Sequence, residues 1–433
     1  MNHSELNRAD ELTRRHFMLN AARTYLGVHL FPMLGASVAS AAPAAVGAGN
    51  KAKYVIYLYM SGGMSHLDTF DPKPKKKAVM GPTETIMGKA DLQISGYLPK
   101  TAEVTDKMCI INSMSSTQGA HEQGSYMMHH SYSQRGTIRH PALGSWVLKL
   151  AGPIHPELPG FIAINTPPAV TSGGFFGAKF SAAPIGRPEE GLQDSRRPEN
   201  VSEGDFERRL SLADKLNQQF HSRYPNADVK AYEELYRDAI SLMKSSDLAA
   251  FDLSKETKAT RDMYGSGNFA QGCLLARRLI ENDVRFVEVQ LGGWDTHYDN
   301  FAGVEGRCKE FDQAYAALLT DLEARGKLKD TLVVVATEFG RTPEIKSEHK
   351  DGRDHHPSAF SCVLAGGGIK GGVKYGLTDT SGDKVKNDLV TVQDFNATIA
   401  YSLGLPHDLV LMSPTKRPFK IADQGKPITS IFG

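Results

Sequence analysis

The chain has 433 residues, of which 40% are hydrophobic and 23% charged, a composition typical of a globular protein of one or two domains. Its formal net charge of +1 at pH 7 gives no indication of a nucleic-acid or acidic partner. The four cysteines are far apart and form no CxxC or zinc-ribbon spacing, so a disulfide scaffold is not expected.

The N-terminal segment has the layout of an export signal. Arg14 and Arg15 precede a mildly apolar stretch that runs to about Val38, and Ala39-Ser40-Ala41 matches an AxA cleavage site. The arginine pair favours the twin-arginine route. We therefore expect a signal peptide over 1–41, a flexible lead-in over 42–52, and a periplasmic or extracellular mature chain without a transmembrane span. A disordered basic tail or a retained anchor is the alternative.

Six short apolar runs, rich in β-branched and aromatic residues, predict buried strands. They are Tyr54–Met60, Met108–Met114, Gly160–Asn165, Val284–Leu291, Thr331–Thr337 and Phe360–Gly366. Amphipathic helical stretches lie between several of them. This alternation predicts one α/β domain over 53–433, with a mostly parallel central sheet and helices on both faces.

A highly charged segment from about Pro184 to Asp262 interrupts the alternation. Two stretches in it, "DFERRLSLADKLNQQFHSR" and "VKAYEELYRDAISLMKS", have helical periodicity. We interpret the segment, about 184–262, as a helical insertion or cap on the α/β core.

Histidines and carboxylates cluster near the ends of several predicted strands. Open α/β sheets bind ligands beyond the carboxyl ends of their strands, so we expect these side chains to meet at one edge. The candidate metal ligands are His66, Asp68, Asp295, His297, Glu338, His355 and His356. Carboxylate and neutral imidazole together suit zinc, manganese or iron, and we expect one or two divalent ions, with zinc or manganese favoured. Taken alone, a His-Asp pair after a strand is more often a cap or a turn contact, and a His-His pair belongs to a surface loop as often as to a metal site.

Two arginines accompany these clusters, and both are candidate catalytic residues. A guanidinium can clamp an oxyanion in a bidentate way, and this is the role we consider for Arg341 and Arg353. A bound divalent ion would polarise a phosphoryl or sulfuryl oxygen and activate a water molecule. The alternative for each arginine is a salt bridge to a ligand carboxylate.

Four motifs after the export signal resemble a known family. "GGMSHLDTFDPKP", "GGWDTHYDN", "TEFGRTP" and "GRDHHP", in this order, are similar to the bacterial family catalogued as domain of unknown function 1501. That family is grouped with the alkaline phosphatase and sulfatase superfamily, and the resemblance covers nearly the whole mature chain. It implies an alkaline-phosphatase-like α/β core with metal ligands on loops past the strand ends, and hydrolysis or transfer of phosphate or sulfate esters.

The sequence departs from the superfamily at two points. It has Glu338-Phe339-Gly340 where the superfamily usually has an Asp-His pair, and Phe339 cannot bind a metal, so one metal site is altered or absent. No Cys-x-Pro-x-Arg or Ser-x-Pro-x-Arg motif occurs, so a formylglycine sulfatase is not expected. His121 stands where that nucleophile would be and is the third candidate catalytic residue, with a metal-bound water as the alternative nucleophile.

The function predicted from the sequence is an exported, metal-dependent hydrolase of a sulfate or phosphate ester. The expected partner is that ester substrate; protein partners are possible and nucleic acid is not expected. A non-catalytic protein on the same fold, acting in an envelope complex, is the alternative. A metal-storing or redox protein is a third hypothesis.

Overall fold

A computed structural model of the protein describes residues 52–192, 200–224 and 245–433, together with 240 and 242. The predicted signal peptide and all but the last residue of the predicted lead-in lie outside this range. No helix within it is long and apolar enough to cross a membrane.

Nine strands of the described residues form one central sheet. They are β1 Tyr54–Met60, β2 Met108–Ser115, β3 Phe161–Ile164, β4 Ala183–Ile185, β5 Phe286–Leu291, β6 Thr331–Ala336, β7 Phe360–Gly366, β8 Val373–Tyr375 and β9 Val390–Thr391. The order is β8-β2-β7-β6-β1-β5-β3-β4, and β9 also pairs with β2. The pairs of β7 with β2 and β6 are antiparallel, and the other pairs are parallel. The mostly parallel sheet predicted from the sequence is confirmed, and the six predicted strands are present to within two residues at each end.

Strand β1 lies in the middle of the hydrophobic core. Its β-branched and aromatic residues suit a pleated surface, and successive side chains point to opposite faces of the sheet. Ile56 and Leu58 belong to one hydrophobic cluster, and Tyr57 and Tyr59 belong to the cluster on the other face. All seven residues of β1 are buried, as expected for a parallel strand that is covered on both faces.

Helices cover both faces of this sheet. The α-helices of the described residues are α1 Lys77–Met80, α2 Pro99–Ala102, α3 His121–His130, α4 Leu143–Ala151, α5 Glu203–Arg223, α6 Lys258–Tyr264, α7 Asn268–Glu281, α8 Asn300–Ala324 and α9 Val392–Ser402. Helices α7 and α8 contribute to the cluster that contains Ile56, whereas α4 and α9 contribute to the cluster that contains Tyr57. The α/β layering predicted from the sequence is therefore confirmed.

The charged segment that we interpreted as an insertion is only partly described. It contains α5, α6 and two 3₁₀ helices, Ser246–Phe251 and Leu253–Lys255, while Pro184 lies in strand β4. Residues 193–199 and most of 225–244 lie outside the described residues. Its role as an insertion or cap stays a prediction.

Because strand β7 is antiparallel to its neighbours, the loop before it lies at the same edge of the sheet as the loops that follow β1, β2, β5 and β6. The amino end of β7 lies at the edge where β1, β2, β5 and β6 have their carboxyl ends. The loop that contains Arg353–His356 precedes β7 and therefore reaches that edge. There, His355–His356 pairs with Gly340–Arg341 in a short antiparallel ladder, which fixes this loop beside the one that follows β6.

Two buried histidines, His130 at the end of α3 and His140 before α4, are neutral. His130 is 1% exposed, and its Nδ1–H donates to the carbonyl of Tyr126 at 2.8 Å. His140 accepts a hydrogen bond at Nδ1 from the Tyr126 hydroxyl at 2.8 Å. Burial lowers the pKa of His130 to about 3 and the pKa of His140 to about 4. Protonation of either ring would place a positive charge in a buried environment, which is unfavourable.

The buried ring of His130 predicts a loss of stability in mild acid. In the unfolded chain the ring is protonated as the pH falls through its ordinary pKa of 6.5, whereas the folded ring stays neutral down to about pH 3. Because the unfolded state then binds more protons, the free energy of unfolding decreases between these values, by up to about 1.4 kcal/mol per pH unit for this residue. Urea unfolding at several pH values between about 7 and 5 measures the slope. His130→Asn keeps a donor toward Tyr126 and is expected to reduce it; an unchanged slope would contradict the assignment.

Candidate metal centre

Four segments bring polar side chains together at the carboxyl edge of the sheet. Asp295 and His297 lie in the loop after β5, and Glu338 lies in the loop after β6. His121 is the first residue of α3, and His355 lies in the short strand before β7. One ligand atom from each of His121, Asp295 and His355 lies within 4.8 Å of the other two. These three residues form the centre of the site.

A glycine after β1 allows the first loop to approach this centre. Gly62 has a φ of 118°, a conformation that favours glycine. A Cβ atom at this position would lie 2.6 Å from the backbone nitrogen of Asp295. The Gly62 N–H donates to Glu338 Oε1 at 2.9 Å. The backbone of the loop after β1 thus contacts both the segment that carries Asp295 and the side chain of Glu338.

The hydrogen bonds of three histidines determine which ring nitrogen faces the centre. Each ring donates from Nδ1 to an oxygen: His121 to Glu338 Oε1 at 2.8 Å, His297 to Asp354 Oδ1 at 3.0 Å, and His355 to the Gly119 carbonyl at 2.7 Å. An ionised carboxylate or a carbonyl oxygen only accepts, so we assign the proton of each neutral ring to Nδ1. The three Nε2 lone pairs are left to face the centre.

These Nε2 atoms meet around the carboxylate of Asp295. His121 Nε2 lies 3.3 Å from Asp295 Oδ2, and the Nε2 atoms of His297 and His355 lie 3.2 and 3.5 Å from Oδ1. The Nε2 atoms of His297 and His355 are 2.9 Å apart, and His121 Nε2 is buried without a hydrogen-bond partner in the described part of the chain. Lone pairs at these distances repel one another unless a cation, either a proton or a metal ion, lies among them.

Arg341 supports Asp295 from the buried side. Its guanidinium is fully buried, and Nη2 donates to Asp295 Oδ1 at 2.6 Å and to the Gly62 carbonyl. Nε donates to the Gly63 carbonyl at 2.9 Å, and Nη1 donates to the Arg353 carbonyl at 3.1 Å. Burial opposes ionisation of Asp295, but the hydrogen bond and charge of Arg341, together with the charges of His121 and His297, outweigh it, so the pKa of Asp295 is lowered. Arg341 therefore forms the salt bridge to a carboxylate that was the alternative to an oxyanion clamp.

Glu338 orients His121 and is itself enclosed by donors. Its side chain is 1% exposed. Oε1 accepts from His121 and Gly62, and Oε2 accepts from the Tyr59 hydroxyl at 2.9 Å. The hydrogen bond with Glu338 raises the pKa of His121. A carboxylate in this position fixes the tautomer of a metal-binding histidine and makes the ligand nitrogen more basic.

Phe339 forms an apolar wall beside the centre. It is fully buried, and its ring centroid lies 5.1 Å from that of His121 and 4.5 Å from that of His355. The phenyl ring supplies no ligand and keeps water from this side of the two imidazoles.

A family model matches nearly all of the described chain. The family described as "protein of unknown function (DUF1501)" matches residues 52–432. The chain belongs to the DUF1501 family. The resemblance inferred from the four sequence motifs is thereby confirmed.

The DUF1501 chain also resembles several solved structures. The lipoteichoic acid synthase LtaP from Listeria monocytogenes is 9% identical, with 82% of this chain and 73% of that chain covered and a TM-score of 0.39. The periplasmic domain of EcEptC from Escherichia coli, in complex with Zn, is 8% identical, with 83% and 84% covered and a TM-score of 0.38. A protein in the alkaline phosphatase superfamily from Vibrio parahaemolyticus is 11% identical, with 87% and 69% covered and a TM-score of 0.39. At such scores these likenesses support no inference about chemistry. No curated protein matches the chain.

Four other candidate residues of the DUF1501 chain lie outside the centre. Asp68 and Arg353 form a fully buried ion pair, with Arg353 Nε 3.0 Å from Asp68 Oδ2. The Asp68 carboxylate also accepts from Ser65, Thr83 and Asn300. His66 and His356 donate from Nε2 to the carbonyls of Gly382 and Asp383, at 2.8 and 2.6 Å. We therefore leave His66, Asp68 and His356 out of the candidate ligand set, and Arg353 out of the candidate catalytic residues.

The donor set of the centre fits zinc. Ligand atoms at about 2.0–2.1 Å from a tetrahedral Zn²⁺ lie roughly 3.3 Å from one another. His121 Nε2 lies 3.3 Å from Asp295 Oδ2, and His355 Nε2 lies 3.5 Å from the other oxygen, Oδ1. His297 Nε2, 3.2 Å from Asp295 Oδ1, is placed as a further donor.

Three orienting groups did not stand out in the sequence. The Gly119 carbonyl belongs to the backbone and has no side-chain signal. Asp354 occurs within "GRDHHP", but nothing there distinguishes an orienting carboxylate from a ligand. Tyr59 lies in an apolar run and was interpreted only as part of a buried strand.

The adjacent residues His355 and His356 provide a matched test of the ligand set. His355→Gln removes an Nε2 donor from the centre, whereas His356→Gln can keep the hydrogen bond to the Asp383 carbonyl. Loss of a group that only orients a ligand typically weakens metal binding by about 10–100-fold, so we expect His355→Gln to raise the zinc Kd by at least about 100-fold. We expect His356→Gln to change it by less than about threefold. Titration against a competing chelator measures both; equal losses in the two variants would contradict the ligand set.

Proposed function

We propose that this DUF1501 protein is an exported, metal-dependent hydrolase of a sulfate or phosphate ester. The observation that carries the proposal is the set of three Nε2 lone pairs around Asp295, with each Nδ1–H held by an oxygen. A neutral imidazole set of this kind beside a carboxylate is suited to a divalent cation.

His121, Asp295 and His355 would hold the ion, and His297 would complete the set. A divalent ion supplies a Lewis acid for an ester oxygen and lowers the pKa of a bound water to about 7. The Asp295 side chain is 47% exposed and that of His297 is 43% exposed, so a substrate has access from the solvent side. The proposed metal is zinc or manganese. We propose a single ion, because these donors converge on one position.

The charges around the centre favour an anionic substrate. Three carboxylates, those of Asp295, Glu338 and Asp354, face two cationic side chains, those of Arg341 and Lys346. With neutral histidines the assembly carries one net negative charge, and a divalent ion reverses its sign. A sulfate or phosphate ester would then be attracted to the site.

The roles of individual residues differ from those first considered. His121 is better placed to act as a metal ligand than as a nucleophile, because its Nδ1 is bonded to Glu338 and its Nε2 faces the centre. Arg341 fixes the Asp295 carboxylate, and Arg353 pairs with buried Asp68, so neither guanidinium faces a substrate. Phe339 excludes water from one side. Buried Glu338 and Arg341 thus hold His121 and Asp295, while Asp295 and His297 remain accessible from the solvent side.

Metal-dependent turnover is the direct test of this function. We expect purified protein to contain about one equivalent of zinc or manganese and to hydrolyse generic aryl phosphate or aryl sulfate esters. Chelation is expected to abolish turnover, and His297→Ala is expected to reduce it, while His356→Gln serves as the control. Absence of bound metal, or full activity in Asp295→Ala, would disprove the proposal.

Export is part of the same proposal. The twin arginines and the AxA site are the features that support a periplasmic or extracellular location. Replacement of both Arg14 and Arg15 by lysine is expected to leave the protein in the cytoplasm with its signal uncleaved. Fractionation and the mass of the N-terminal peptide measure this outcome; unchanged export in the variant would exclude the twin-arginine route.

A non-catalytic role in an envelope complex is the second candidate. The observation that favours it is Phe339, which contacts two of the candidate ligands and offers no donor itself. In that case we expect zinc binding without turnover, and recovery of a stable partner from envelope extracts. Multiple-turnover hydrolysis without any recovered partner would rule against it.

A further inference from the structure

We propose that Tyr59 is a positioning residue for the metal centre, and this inference rests on the proposed centre itself. Its hydroxyl holds the Glu338 carboxylate in the orientation that keeps the His121 proton on Nδ1. Tyr59 is 1% exposed, and its hydroxyl donates to Glu338 rather than to a candidate ligand atom. It acts through Glu338 and then through His121.

The register of the sheet brings Tyr59 to Glu338. Tyr59 is the penultimate residue of β1 and pairs with Ala336, the last residue of β6. Glu338 follows two residues later. The Tyr59 hydroxyl donates to Glu338 Oε2 at 2.9 Å, and the tyrosine is 1% exposed. An aromatic side chain that packs in the core thus carries its polar end to the edge of the sheet.

Tyr59 is the main donor to its carboxylate oxygen among the described residues. Oε1 of Glu338 is taken by the Gly62 N–H and by His121 Nδ1–H. The Thr337 hydroxyl lies 3.3 Å from Oε2, but it lies nearer, at 2.8 Å, to the Met60 carbonyl. Since a hydroxyl has one proton to donate, Thr337 is engaged elsewhere. The orientation of Oε2 therefore depends on Tyr59.

The phenol ring is itself held in place. The His129 ring meets it edge-on, with centroids 4.4 Å apart and an interplanar angle of 67°. His129 Nε2 lies 2.9 Å from Glu288 Oε1, and both side chains are buried, so this neighbour is fixed as well. The Tyr57 ring stacks on the same face of the sheet, 6.4 Å away. The hydroxyl cannot leave Glu338 without displacing a packed core.

Loss of the hydroxyl would leave a buried carboxylate oxygen without its donor. Such a group is costly to leave unsatisfied, so the carboxylate would rotate or recruit another donor. Either change weakens the hydrogen bond from His121 Nδ1–H. The imidazole would then be free to turn or to place its proton on Nε2, where a metal ligand needs a lone pair.

Tyr57 provides a matched control on the same strand. It lies two residues earlier on the same face of the sheet and is 1% exposed, and its buried hydroxyl has no hydrogen-bond partner among the residues that the structure describes. Tyr57→Phe and Tyr59→Phe therefore remove the same atom from equivalent buried rings. Only the second change removes a hydrogen bond to Glu338.

Zinc affinity of the full chain distinguishes the two tyrosines. We expect Tyr59→Phe to raise the zinc Kd by about 10–100-fold, the usual effect of losing a group that orients a ligand. We expect Tyr57→Phe to leave it within about threefold. Circular dichroism and melting temperature establish that both variants are folded, and a role in stability alone would not change the Kd of the folded protein. Equal Kd values in the two variants would overturn the proposal. No zinc binding by the wild-type protein would instead overturn the metal centre.

A double-mutant cycle tests whether Tyr59 acts through Glu338. In a Glu338→Gln background, Tyr59→Phe is expected to add less than about twofold to the Kd, because the link to His121 is already broken. A full additional loss would contradict the proposed route. If Tyr59→Phe does not fold, 3-fluorotyrosine at position 59 keeps the hydroxyl and makes it a stronger donor. Because a stronger donor holds Glu338 more firmly, it is expected to lower the zinc Kd relative to 3-fluorotyrosine at position 57; an unchanged or raised Kd would overturn the proposal.

Discussion

A neutral imidazole offers a lone pair at Nε2 only when its proton is held at Nδ1, and the centre of this protein depends on that constraint. Three oxygens from different segments hold these protons by accepting hydrogen bonds: Glu338 Oε1 for His121, Asp354 Oδ1 for His297, and the Gly119 carbonyl for His355. The result is a group of lone pairs around one carboxylate, which in the absence of a cation is electrostatically unfavourable. The surrounding fold supplies the rigidity that keeps them together.

The direction of one strand makes this convergence possible. In an entirely parallel sheet, a loop that precedes a strand would lie at the opposite edge from the loops that follow strands. Strand β7 is antiparallel to β2 and β6, so the loop that carries Asp354 and His355 reaches the edge occupied by Asp295 and Glu338. The ladder between His355 and Arg341 then places the ligand beside the arginine that holds Asp295.

Hydrophobic runs were sufficient to predict the strands, because burial on both faces leaves an unbroken apolar signal such as that of β1. The site was less predictable. His355 and His356 are indistinguishable in sequence, but successive side chains of an extended chain point to opposite sides, and only His355 faces the centre. Asp68 and Asp295 both follow a strand, and their roles are decided by arginines that are distant in sequence. In the sequence Tyr59 looks like any aromatic residue of the core, because its role depends on one hydrogen bond that forms only in the folded chain.

The buried groups around the centre also argue for a single ion. A second ion ligated by Asp68 would have to displace Arg353, Ser65, Thr83 or Asn300 from that carboxylate. Breaking a buried ion pair and leaving its partner unpaired costs about 3–5 kcal/mol. His66 and His356 would likewise have to give up hydrogen bonds to the carbonyls of Gly382 and Asp383 if they bound through Nε2. The cluster around Asp295 requires no such exchange, because its Nε2 atoms are already turned inward. Phe339 lies beside His121 and His355, and its apolar ring occupies a position from which a polar side chain could have supplied a further ligand.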